Sequence, residues 1–129
     1  VTADAALARL RVRGELVRST PQNYTEFRAV ATRPTGPANG LGLSPAEAEA
    51  KAAGFELAFP LLPDTPDIHP AWKALVAATG VIGKQVHDAR LVAVCHVHGI
   101  THLLTFNTQD FARLTTFGPG LTVVHPANV

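Results

Sequence analysis

Apolar positions along the chain fall into two periods. In "ADAALARLRVRGE" Ala6, Leu7 and Leu10 share one stripe, which predicts a helix, and Gly14 suits its C-terminal stop. "LVRS", Leu16 to Ser19, is a short apolar run that predicts a strand. In "STPQNYTEFRAVATRP" the spacing of three and four returns with Tyr24, Phe27, Val30 and Ala31. Ser19 or Thr20 can cap this helix, Pro21 suits its first turn and Pro34 closes it. "TGPANGLGL" is a Gly- and Pro-rich loop, too short for a domain linker. "SPAEAEAKAAGFELA" is a further helix, with Ser44 as cap, Pro45 at its first position and Glu47 placed for a capping box.

The second half alternates in the same way. "FPLLP" predicts a brief strand, and "DIHPAWKALVAAT" a helix carrying Trp72, Leu75 and Val76. "VHDARLVAVCHVHG" is apolar on most sides, so it is expected to be covered on more than one face. "THLLTF" predicts a strand, "NTQDFARL" a turn or two of helix, and "LTVVHP" a closing strand. Strands alternating with helices imply an α/β fold with a parallel sheet. No internal repeat or low-complexity tract interrupts this order.

Bulk properties narrow the partners. The 129 residues suffice for one domain with one core. Eleven basic and ten acidic residues leave a net charge of +1, so any nucleic-acid contact has to rest on a local patch. Cys95 is the lone cysteine and cannot form an internal disulfide, which fits a reducing cytoplasm. No apolar run approaches the ~18–20 residues of a membrane span, and no secretory leader pattern opens the chain.

Three acids lie near strand-to-helix passages, where open parallel sheets gather ligands. Glu26 is in the helix after the first strand, Asp88 in the first turn of the apolar helix, and Asp110 after "LLTF". A helix N-terminus favours an ionised carboxylate, and several such acids repel one another until a divalent cation joins them. Mg²⁺ and Mn²⁺ prefer oxygen ligands, acidify a bound water and steady a phosphate. Each acid also has a plain structural role: Asp88 complements a helix dipole, Glu26 pairs with Arg28 or Arg33, and Asp110 opens a short helix. Cys95, His96, His98 and His102, with His87 further back, invite a zinc reading, but their spacing matches no common zinc pattern. Tyr24 and Trp72 are expected in the core. "NGLGL" lacks the glycine spacing and the preceding strand of a phosphate loop.

"STPQNYTEFRAVATRP", "GKQVHDARLVA" and "THLLTFNTQDFARL" with "GLTVVHP" resemble the PIN-domain family, in particular VapC-type toxins, in order along nearly the whole chain. The resemblance implies a three-layer α/β/α fold with a central parallel sheet and Mg²⁺- or Mn²⁺-dependent endoribonuclease activity. It implies Glu26, Asp88 and Asp110 as catalytic metal ligands, with Asn107 as a neutral ligand or water-holder where relatives carry another aspartate. His87, Lys84, Arg90 and Thr105 would line the substrate edge, Thr105 and Thr108 would hydrogen-bond the shell around Asn107, and Arg28 and Arg33 are the other basic residues near the acids, open to phosphate contact. RNA as substrate, an antitoxin protein as partner, a homodimer and a cytoplasmic location follow. The departure is at the front. The family opens with an apolar strand ending in an aspartate, and Asp4, inside a helical pattern, does not match it. A single PIN-like domain over residues 1–129, incomplete at its N-terminus and without the first central strand, is therefore expected. The other reading is a catalytically inactive PIN-like module that binds an antitoxin or another copy of itself.

Overall fold

Local signals set most helix ends. In the structure, a computed structural model describing residues 2–129, α1 (Ala3–Val12) starts where the Thr2 hydroxyl accepts the Ala5 amide at 3.1 Å. α2 (Pro21–Thr32) carries a capping box between Thr20 and Asn23, with Pro21 in its first turn. It stops at Arg33, whose extended backbone is what a residue before Pro34 prefers. α3 (Pro45–Ala58) has the expected box: Ser44 and Glu47 exchange side-chain and backbone bonds at 3.0 and 3.1 Å. α4 (Ile68–Thr79) ends on Gly80, left-handed at φ 66°. α5 (Gln85–Val97) and the short α6 (Thr108–Ala112) follow.

These six helices and a small parallel sheet make an α/β chain that divides into two compact units. One comprises the chain up to Leu16 together with Asp64–Val129; the other is Val17–Pro63. Among the described residues no helix is long and apolar enough to cross a membrane.

In the larger unit β1 (His102–Leu104) and β2 (Thr122–Val124) pair in parallel, Leu103 opposite Val123. Bonds from Thr122 to Thr101 (2.9 Å) and from Thr105 to Val124 (3.0 Å) extend the ladder at each end. Six buried residues of α5, Ala89 and Leu91 to Cys95 on either side of the half-buried Arg90, make it the most enclosed helix, as its apolar sequence implies. Leu75 and Val81, with Val92, Phe111, Leu114 and Leu121, complete the core around it. Trp72 packs on this cluster, and its indole donates to the Val86 carbonyl at 2.9 Å, tying α4 to the first turn of α5.

In the smaller unit α2 packs on α3 through buried Ala31, Ala48 and Ala52 and an edge-to-face pair of Phe27 and Phe55, 5.4 Å apart. The connecting loop runs back along α2, where Leu41, Gly42 and Leu43 donate to the carbonyls of Val30, Arg33 and Ala31. Gly40 lies so close to the Arg33 backbone that a side chain would overlap it.

The strands are shorter than the sequence suggests. "LVRS" and "FPLLP" do meet in parallel, but as a single bridge between Ser19 and Leu61, with Ser19 donating to Pro60 (3.2 Å) and accepting from Leu62 (2.7 Å). Thr20, which follows at once, is committed to capping α2, and Pro60 and Pro63 have no amide to donate, so the ladder cannot lengthen. The buried Ser19 hydroxyl donates to the Phe59 carbonyl at 2.6 Å and accepts from Tyr24 at 2.7 Å, so the tyrosine is structural.

Candidate functional site

α5 opens without a side-chain cap. Its entry is a turn in which Val86 bonds to Gly83 at 3.0 Å and His87 and Asp88 bond to Lys84 at 3.0 and 3.3 Å. Gly83, at φ 60°, takes the left-handed backbone that this entry needs. Asp88 is the acid of the first turn, where the helix dipole favours its ionised form. The residue is half-buried, and one of its carboxylate oxygens is shut off from solvent. His87 beside it is exposed.

The turn after β1 holds the second acid. Thr105 Oγ1 accepts the Asn107 amide at 3.1 Å, and the Asn107 carbonyl accepts the Asp110 amide at 3.1 Å, so Thr105 organises the start of α6. Buried Phe111, next in sequence, anchors α6 to the core. The Asp110 carboxylate lies 3.7 Å from the Lys84 ammonium. Both groups are substantially exposed, at 43% and 77% of the side chain, so the pair adds little stability and can exchange partners. Gln85 reaches the Asp110 backbone carbonyl at 3.4 Å, a second link between the start of α5 and α6.

Two expected roles are differently filled. Glu26, on exposed α2, accepts from Gln22 at 3.1 Å rather than pairing with an arginine; Arg28 is bound to Glu49 on α3. Arg90 pairs with Asp64 at 3.2 Å, so its guanidinium is already engaged. The pairings of Lys84 with Asp110 and of Gln85 with the same turn span 26 and 25 positions, and no local spacing announces them.

A hard cation needs several oxygen ligands that converge. Asp88 and Asp110 offer the right atoms within one unit, while Glu26 belongs to the other. Among the described residues no group of three or more His, Cys, Asp and Glu side chains is placed to hold a metal ion. The carboxylates of Asp88 and Asp110 suit a hard divalent cation in kind. The same finding leaves the Cys95, His96, His98 and His102 set without a zinc geometry. Cys95 is buried, and burial pushes its thiol up to about 11, which makes it a poor ligand and nucleophile.

Asp88 and Asp110 thus stand in the first turns of α5 and α6, in the unit that holds the parallel strands. The family model for the PIN domain matches residues 1–116, and the chain belongs to the PIN-domain family. Nuclease activity, generally supported by divalent metals, is the general function of that family. Comparison with curated proteins and with solved structures gives no significant match.

Proposed function

We propose that this chain is a VapC-type endoribonuclease, the toxin of a toxin–antitoxin pair, which hydrolyses RNA phosphodiesters in the cytoplasm with Mg²⁺ or Mn²⁺. Glu26, Asp88 and Asp110 would carry the cation, with Asn107 as a neutral donor. The observation that carries this reading is the family match, which spans all four residues. Two features of the larger unit support it. The Asp88 carboxylate has one oxygen shut off from water and lies at a helix start, where the helix dipole favours negative charge. Lys84, exposed and only loosely held by Asp110, is a cation free to turn to a phosphate. His87 and Thr105 stand beside these acids in sequence and would line the substrate edge, whereas Arg90 would have to leave Asp64 to join them.

A second reading has its own observation. It is a PIN-like module that acts by binding an antitoxin or a second copy of itself, and the feature behind it is that Asp4 lies inside α1 rather than at the end of a strand. Incubation of labelled RNA with the protein in Mn²⁺, in Mg²⁺ and in EDTA separates the two. Metal-dependent cleavage, lost in Asp88→Asn, supports the enzyme. Absence of cleavage by a folded protein that shifts to a dimer or binds an antitoxin in sedimentation analysis supports the module.

A further inference from the structure

Phe106 follows β1 by two residues and His125 follows β2 by one. The two strands are parallel, so both residues leave the same end of the sheet. Their rings meet edge to face, with centroids 5.4 Å apart and planes at 88°. This pair is braced from behind. The His125 Nδ1 accepts the Ala127 amide at 3.0 Å, which fixes the imidazole, and Pro126 beside it is buried. Phe106 itself sits between Thr105 and Asn107, whose mutual bond holds the turn.

The ring so positioned is not used by the core. Phe111 and Leu114, from the same stretch of chain, are buried in it, whereas Phe106 remains 51% exposed. An aromatic ring held in place and left half open is a preorganised surface. Next in the chain come the exposed Asn107 and, in the first turn of α6, Asp110, whose carboxylate lies 3.7 Å from the Lys84 ammonium. An apolar planar face, a polar amide and a cation together fit an unpaired nucleotide better than they fit a peptide or a membrane. The face takes a base, and the cation takes a phosphate. Single-stranded loops and ends present bases that stack on aromatic side chains in this way, whereas the bases of a duplex are already stacked.

We propose that Phe106, braced by His125, is a stacking platform for an unpaired base of the RNA strand, next to a phosphate engaged by Lys84. The inference rests on the nuclease reading and adds to it a residue that selects substrate.

The test is binding of a labelled unpaired oligoribonucleotide, and of a duplex of the same sequence, to the full chain, by fluorescence anisotropy in EDTA and in Mn²⁺. Phe106→Ala and Phe106→Leu are each expected to weaken single-strand binding by roughly 5- to 150-fold, the worth of one stacked base. Phe106→Trp should keep the affinity, and its introduced indole should be quenched by the oligonucleotide beyond any change in the native protein. Duplex binding should be equal in all four proteins. Circular dichroism checks the fold, and Phe106→Leu preserves apolar bulk without a ring. If Phe106→Leu binds as the native protein does, or all variants are equal, stacking is overturned while the nuclease reading stands. If the folded native protein neither binds nor cleaves RNA in either condition, both fall.

Discussion

Leu114→Ala tests the packing of the core shared by α5 and α6. Leu114 is the first residue of a short 3-10 helix (Leu114–Thr116) that follows directly on α6, and it is 0% exposed. It belongs to the cluster that also contains Val92 of α5 and Phe111 of α6, so its side chain lies between the helices carrying Asp88 and Asp110. Cutting leucine to alanine at a closed site removes the transfer energy of the lost carbons and leaves a cavity, at a cost of about 3 kcal/mol and up to about 5. For a cooperative unit of 129 residues, an unfolding entropy of about 2.1 cal/mol/K per residue converts 3 kcal/mol into a Tm drop of about 11 °C. If only the larger unit melts together, the same loss spreads over fewer residues and the drop is greater. Calorimetry with far-ultraviolet circular dichroism measures it. Val12→Ala is the control, since Val12 is 89% exposed and its change is expected within about 0.5 kcal/mol. A Leu114→Ala loss no larger than that of Val12→Ala would refute the packing around α6.

Two further outcomes follow from buried groups. Burial lowers the pKa of His96, whose Nε2 is enclosed and has no hydrogen-bond partner, and whose ring lies against Gly118. The unfolded chain then takes up the proton more readily. Stability is fully present above the ordinary histidine value of about 6.5 and is lost as pH falls from there toward the lowered folded value. Denaturant titrations across that window should show a steeper acid loss for the native protein than for His96→Leu, and parallel curves would remove the effect. Cys95, with its thiol pushed up to about 11, should resist a thiol reagent at pH 8 in the folded protein and react once denaturant is added; rapid labelling of the folded chain would show that α5 opens easily.

Features encoded by neighbours in sequence were legible, and features encoded by distant pairs were not. The capping box of Ser44 and Glu47 and the stop before Pro34 act over three or four residues, and both are found where their chemistry places them. The apolar run from Leu91 to Cys95 likewise implied a helix enclosed on several sides. Strand lengths were harder to read, because apolar content does not reveal that Thr20 is spent on a helix cap or that two prolines withhold amides from Leu61 and its neighbours. In α2 the capping box is closed by Asn23, although the more familiar partner at that position is a glutamate or glutamine. At the site, the acids could be proposed by type, although only Asp110 follows a named strand and Asp88 enters α5 from the turn after α4. Their partners could not, since Glu26 turned to Gln22 on its own helix and Asp110 to Lys84 far along the chain. Phe106 and His125 lie in "THLLTF" and "LTVVHP", but nothing in either stretch marks the two rings as partners. Only the parallel register, which sends both strands out at one end, brings their rings together.

The most direct test of the account is Asp88→Asn in an RNA cleavage assay. The change keeps the size of the side chain and the half-buried start of α5, and removes only the charge. Native protein and variant, matched by circular dichroism and Tm, are incubated with a labelled RNA bearing unpaired loops in Mn²⁺ and in EDTA. The account predicts cleavage by the native protein in Mn²⁺, none in EDTA, and none by the variant in either. Equal cleavage by the variant, or cleavage by the native protein that persists in EDTA, would contradict it.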